Sequence, residues 1–259
     1  MPQADRLVRR GREQQGRQEA PPARGQRQHG CRRAAASLRR GREAGGGQFA
    51  EEFAAFGIDP NTRGKRMEES IEIMRLISLE ANASYAGEFN QFDNITVMPR
   101  PVQSPLPIWV TANPSPDFPK LRASALKRVA QLGDGWMTTA NTVESLKENL
   151  ADIYRSADDI GRELPADFEV CLYYNIRVGA DREETIQTSA EYLRAYYGVD
   201  YARDFFERWV AMGDASRCID EIGKFIDAGA TTITLRLVGH DEADQFDRVT
   251  NDVLSAFNS

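Results

Sequence analysis

The sequence predicts an α/β fold in which parallel strands are covered by helices: a (β/α)8-type barrel that lacks its first β/α units. Three observations lead there. Short β-branched or alternating apolar runs take turns with helical apolar stripes from residue 61 onward, the alternation that a parallel sheet requires. No G-x-G-x-x-G follows a strand, so the doubly wound dinucleotide-binding alternative lacks its main signal. About 212 residues carry this pattern with four convincing strands and one more ending near residue 47, fewer than the eight strands and ~250 residues of a complete barrel.

The elements follow in order. Met67, Ile71, Met74 and Ile77 form one helical stripe. Seven of the 12 prolines lie between Pro99 and Pro119, so GEFNQFDNITVMPRPVQSPLP is expected to be extended connection. Within it Ile108-Trp109-Val110 reads as a short buried strand. After TANPSPDFP comes a helix with Leu121, Ala125, Leu126, Val129 and Leu132 on one face, stopped by Gly133. Trp136-Met137 lies in a second strand. Asn141, with Glu144 three residues on, reads as a capping box for a helix on Val143, Leu146, Leu150, Ile153, Ala157 and Ile160. Phe168, Val170, Leu172, Tyr174, Ile176 and Val178 alternate as a long strand. Helices follow from Asp181, through Phe205–Val210, and from Asp214 to Ala228. Ile233, Leu235 and Leu237 make a last strand, and Phe246, Val249, Val253 and Phe257 a closing helix.

Residues 1–47 are of another character. They hold 12 Arg, no Lys and 4 acids, a charge of +8, so residues 48–259 carry −14. All 23 aromatic residues fall in the second part. A segment without aromatic bulk buries too little apolar area to offset its ordering entropy, so residues 1–47 are expected to be a non-globular segment and residues 48–259 the folded domain. Three origins fit the Arg/Gly/Ala/Gln mixture: an RNA-binding arm, a transit peptide, or a GC-rich gene read in a shifted frame.

Composition narrows the function. The acidic body disfavours nucleic acid as a partner. No apolar run approaches the ~18 residues of a membrane span. Cys31, Cys171 and Cys218 lack C-x-x-C spacing, which suggests a reducing compartment and a cytoplasmic location. His240 is the single histidine of the body, too few for a His-based metal site or a Ser/His/Asp triad. It reads as a loop residue, and Cys171 as a buried structural thiol.

The best candidate site is the turn after Ile108-Trp109-Val110. In a barrel, loops that follow strands build the active face. Thr111, Ala112, Asn113 and Ser115 supply small residues, hydroxyls and an amide close to a helix start, where backbone N–H groups and the helix dipole favour an anion such as a cofactor phosphate. The same residues equally suit a proline-rich turn that caps a helix.

Four separated stretches carry a resemblance: GQFAEEFAAFGIDPNTRGKRMEESIEIM, GEFNQFDNITVMPRPVQSPLPIWVTANPS, ALKRVAQLGDGWM and DAGATTITLRL. In this order, over residues 47 to about 257, they resemble the luciferase-like monooxygenases, the bacterial-luciferase-type oxidoreductases dependent on flavin or deazaflavin. The resemblance implies a TIM barrel. It implies reduced FMN or coenzyme F-420 as cofactor and a small organic substrate, in some members with a flavin reductase as partner. Members often pair as homodimers. It points to Thr111, Ala112, Asn113 and Ser115 as holders of the cofactor phosphate, although the commoner form of that loop is Gly-Gly-Asn-Ser. It leaves Trp136 and Met137 as barrel packing, and Arg236 either facing the pocket or in a salt bridge. It also implies that earlier β/α units, which supply much of the pocket, are replaced here by residues 1–47. The other class of reading is therefore a non-catalytic incomplete barrel, or a basic arm that contacts nucleic acid.

Overall fold

The computed structural model describes residues 42–44, 47 and 50–257. Most of the arginine-rich stretch, with Cys31 and His29, lies outside the described residues. Arg42–Ala44 is a strand, β1. It pairs in parallel with β4 (Ile108–Thr111), Arg42 opposite Ile108 and Ala44 opposite Val110. The boundary drawn after residue 47 thus falls behind a strand that belongs to the sheet.

After α1 (Ala50–Ala55), Asp59 accepts from the Asn61 N–H and caps a short 3-10 turn that leads into α2 (Arg63–Leu79). Met67 and Ile71 of the expected stripe are buried. The next element differs from expectation: β2 (Ala83–Ala86) and β3 (Gln91–Ile95) form an antiparallel hairpin where extended chain was foreseen. The prolines begin only after Ile95. The hairpin is held by α2, because the Glu69 carboxylate accepts from the Phe89 N–H at 3.1 Å and Asn90 Nδ2 at 2.6 Å.

From β4 the units repeat: α3 (Pro119–Leu132), β5 (Gly135–Thr139), α4 (Val143–Asp159), β6 (Glu169–Val178), α5 (Arg182–Tyr197), α6 (Arg203–Trp209), β7 (Val210–Gly213), α7 (Ala215–Asp227), β8 (Thr232–Leu237) and α8 (Glu242–Arg248). The capping box of α4 sits one residue later than expected. Thr142 and Ser145 exchange the two bonds, while Asn141 is buried and donates to Thr138 Oγ1 at 2.7 Å. Leu121 is exposed, so the buried face of α3 is Leu126, Val129 and Ala130. Phe246 is likewise exposed, and Gln245 replaces it in the interior. Its amide pairs with both the N–H (2.8 Å) and the carbonyl (3.1 Å) of Val178, as a neighbouring strand would. Val210, expected at the end of a helix, instead begins β7.

All six strands of the main sheet are parallel, and helices cover one face: this is the expected α/β barrel-type fold. The order runs β1-β4-β5-β6. β6 pairs with β5 over residues 169–173, with β8 over 171–176 and with β7 over 175–178. Because β8 overlaps both others, β5 and β7 must lie end to end along one edge of β6 and β8 along the opposite edge.

Side chains alternate between faces. Ile108, Val110, Trp136, the even-numbered residues of β6, and Ile233, Leu235 and Leu237 pack with Leu126, Leu146, Ile153, Ile222 and Phe225 of the helices. Trp109, Thr111, Met137, Thr139, Cys171, Tyr173, Asn175 and Arg236 therefore occupy the other face, the inward one in a barrel. Gly135 lies on it too; a Cβ there would collide with the Trp109 ring, so glycine lets the indole cross the neighbouring strand.

Candidate functional site

The strands all point the same way, so their C-terminal ends gather at one rim of the sheet. The turn after β4 lies there. Ala112 is buried and extends the sheet: its N–H donates to the Met137 carbonyl at 3.0 Å and its carbonyl accepts from Trp136 Nε1 at 2.9 Å. Both polar groups of Ala112 are thereby used. Asn113 Oδ1 accepts from the Thr139 N–H at 2.9 Å and from the Thr138 hydroxyl at 3.2 Å, which pins the turn to the end of β5. Ser115 Oγ faces Asp117 at 3.2 Å. What remains open is the N–H groups of Asn113 and Ser115, the Asn113 Nδ2 and the Thr111 hydroxyl, none of which is hydrogen-bonded among the described residues.

The helix start is farther away than the sequence suggested. α3 begins at Pro119, with Phe118 at its cap and no side-chain cap bond. Proline at that position has no N–H to offer, so the turn must rely on its own N–H groups rather than on a helix dipole. Neither Asn113 nor Ser115 caps the helix.

A second group of residues, not foreseen, covers the rim between β5 and β8. Trp209, the last residue of α6, donates its indole N–H to Thr139 Oγ1 at 2.9 Å. Asn175 Nδ2, fully buried, donates to the Trp209 carbonyl at 3.2 Å, and its Oδ1 has no partner. Tyr192, Tyr197, Tyr201 and Phe205 pack around Trp209 and Val238 in a second apolar cluster, with Tyr197 and Tyr201 ring centroids 5.5 and 5.1 Å from Trp209. The sequence did hold a signal: aromatic residues at 192, 196/197, 201, 205 and 209 recur about every four positions.

Arg236 sits on the inward face of β8, beneath this cover. Its Nη1 donates to the Tyr197 hydroxyl at 2.9 Å, and its guanidinium lies 4.1 Å from the centre of the Tyr196 ring. Burial opposes its charge, but the phenols of Tyr173, Tyr192 and Tyr197 outweigh it and raise its pKa. Burial also lifts the Tyr173 phenol above its ordinary value. His240 is exposed, edge-on to Tyr192 at 5.2 Å. Cys171 is buried, with its sulfur 3.4 Å from Thr234 Oγ1. Among the described residues no three metal-ligating side chains converge, and no helix is long and apolar enough to cross a membrane.

Comparison with known proteins agrees with this architecture. The family described as luciferase-like monooxygenase matches residues 41–257. An uncharacterized protein of Mycobacterium tuberculosis is 29% identical over 150 residues, 58% of this chain and 49% of that protein. An FMNH2-dependent dimethylsulfone monooxygenase of Pseudomonas putida is 30% identical over 114 residues, 43% of this chain and 30% of the enzyme. The chain thus spans about half the length of the first of these curated relatives and less of the second. Among solved structures, an F420-dependent secondary alcohol dehydrogenase in complex with an F420–acetone adduct superposes with a TM-score of 0.71 at 17% identity, over 85% of this chain and 70% of that one.

Proposed function

Since the chain belongs to the luciferase-like monooxygenase family, we propose that it is an oxidoreductase that binds reduced FMN or coenzyme F-420 and acts on a small organic substrate. The observation that carries this reading is the turn after β4. Its Asn113 and Ser115 N–H groups have no partner among the described residues, and the Asn113 Oδ1 bonds to β5 hold the turn at the C-terminal rim. Two backbone donors, a carboxamide and the Thr111 hydroxyl suit the oxygens of a phosphate. In this reading Thr111, Asn113 and Ser115 hold the cofactor phosphate, and Ala112 positions them through its bonds to β5.

Reduced FMN would supply electrons to molecular oxygen, and F-420 a hydride; the protein's part is to orient the group and exclude water around it. The Trp209–Tyr197–Tyr201 cover suits the second task, because it places apolar rings over the rim. The work falls to residues 48–259 together with β1, and a separate flavin reductase would supply FMN in its reduced state.

Fluorescence titration of FMN, riboflavin and F-420 with the full chain tests the reading. FMN or F-420 is expected to bind, and FMN at least ten times more tightly than riboflavin if it is the cofactor, a difference of about 1.4 kcal/mol. Absence of binding by both FMN and F-420 sinks it.

A further inference from the structure

Among the described residues Arg236 is a cation without a carboxylate. Four other part-buried arginines are paired with an acid, Arg75 with Asp134 at 2.9 Å, Arg122 with Asp152 at 2.6 Å, Arg128 with Glu68 at 2.8 Å and Arg177 with Asp241 at 2.7 Å, while Arg66 lies over the Phe89 ring and bonds to the Thr62 hydroxyl. Arg236 meets no acid among the described residues. Its surroundings are the rings of Tyr192, Tyr196 and Tyr197, at 5.7, 4.1 and 5.6 Å from the guanidinium carbon to the ring centres, and the Tyr173 phenol. Ring faces offset part of the cost of burying a cation, but neutral phenols compensate its charge less than a carboxylate would.

The phenols make this more than a cation–π nest. A hydroxyl that accepts from arginine keeps its own proton to donate. Tyr197 accepts from Nη1, so its O–H is available to a further acceptor. The guanidinium and adjacent phenols together form a donor-rich cluster near the C-terminal end of β8. An oxyanion satisfies such a group through bidentate contact with the guanidinium fork.

The site is separate from the turn after β4. Thr111, Met137, Cys171 and Thr232 stand opposite one another across four strands. Three strand spacings of about 4.8 Å put β8 roughly 14 Å from Thr111 along the sheet, and Arg236 stands four residues farther along β8. A phosphate on the turn and an anion on Arg236 would occupy opposite sides of the rim.

We infer that Arg236, with the hydroxyls of Tyr173 and Tyr197, binds the oxyanion of the substrate, an organic carboxylate or sulfonate whose apolar body lies against the tyrosine rings. This deepens the proposed oxidoreductase reading and rests on it for the word substrate. The anion site itself rests on Arg236 and the tyrosine hydroxyls beside it, not on that reading. Bound there, the acid would be held at one end while its body points across the rim toward the turn. The alternative owner of the anion, the cofactor phosphate, is separated by the experiment.

Calorimetric titration of the full chain with benzoate, benzamide, FMN and F-420, each alone, is the test. Wild-type protein is expected to bind benzoate at least tenfold more tightly than its uncharged isostere benzamide. Arg236→Gln removes that preference, and Tyr197→Phe, which takes away a single hydroxyl, weakens benzoate several-fold and provides the result if Arg236→Gln fails to fold. Affinities for FMN and F-420 stay as in wild type. Equal binding of benzoate and benzamide by wild type overturns the inference. So does a Tyr197→Phe protein with undiminished benzoate affinity, or an Arg236→Gln protein that loses FMN or F-420 while keeping benzoate. Benzoate preference in a protein that binds neither FMN nor F-420 supports the anion site and removes the cofactor reading.

Discussion

Trp209 and Thr139 are joined by one hydrogen bond, indole N–H to hydroxyl at 2.9 Å, and the same hydroxyl donates to the Tyr173 carbonyl at 2.8 Å. Three elements distant in sequence meet in that relay: the end of α6, the end of β5 and the middle of β6. It fixes the aromatic cover over the rim, and Asn175 reinforces it from below through the Trp209 carbonyl.

Thr139→Val keeps the side-chain shape and deletes the hydroxyl. The indole N–H of a nearly buried Trp209 and the Tyr173 carbonyl both lose their partner. Leaving such groups unsatisfied costs about 1–3 kcal/mol. Urea unfolding should show a loss of that size for Thr139→Val and a much smaller one for Thr139→Ser. Equal stability of Thr139→Val and wild type would mean that the cover is held by ring packing alone.

The hairpin depends on Gly87 in a similar way. A Cβ at that position would fall on the Glu69 carboxylate, the group that holds the Phe89 N–H and Asn90. Gly87→Ala should lower the melting temperature and loosen the hairpin, seen as faster amide exchange in residues 83–95. Burial opposes the Glu69 charge, but the bonds from Phe89 and Asn90 prevail and lower its pKa. A carboxyl depressed in the folded state stabilises at pH above its unfolded value of about 4.5 and ceases to do so as acid protonates it in the fold. Glu69→Gln should therefore flatten the fall of melting temperature below pH 4.5.

What the sequence revealed divides along physical lines. Long periodic elements were legible, because Leu146, Ile153 and Ala157 mark one face of α4 and Val170 to Val178 one face of β6. Four-residue β7 was not, since Val210 continues the apolar run of α6 and every residue of the strand is buried, which leaves no alternation to read. Gln245 was missed because polarity predicts exposure, whereas its amide substitutes for a strand partner at Val178. The turn after β4 was singled out as a candidate from its small residues and place in the pattern. On the opposite side of the rim Arg236 was named, facing the pocket or in a salt bridge, but its grouping with Thr139, Tyr173 and Asn175 was not, because these come together only through strand register, which leaves no local trace.

Cys218 should behave as an inert thiol. Burial, with the charges of Asp214 and Glu221 adding to it, pushes its pKa from 9.0 up to about 12. The folded protein keeps the proton that the unfolded chain releases above pH 9, so stability should fall as pH rises from 9 toward 12. Tyr174, lifted mainly by burial, acts in the same direction at still higher pH. Cys218→Ala should reduce the slope of melting temperature against pH in that window. Native protein at pH 8 should react with a thiol reagent at Cys218 only as fast as it unfolds; prompt labelling would show that the thiol is accessible.

Asn113 offers the sharpest separation of structure from cofactor binding. Its Oδ1 accepts two bonds from β5, and a carboxylate oxygen accepts them equally well. Asn113→Asp should therefore retain the turn and the melting temperature. It adds a negative charge where the proposed phosphate lies and removes the Nδ2 donor. Two like charges ~5 Å apart near a protein surface repel by about 3 kcal/mol, so affinity for FMN or F-420 should fall roughly a hundredfold. Riboflavin, which has no phosphate, should bind the variant and wild type alike. Asn113→Ala leaves the Thr139 N–H without its acceptor and should weaken every ligand along with the fold. If Asn113→Asp instead binds FMN as wild type does, the phosphate is held elsewhere and the turn after β4 serves only to join two strands.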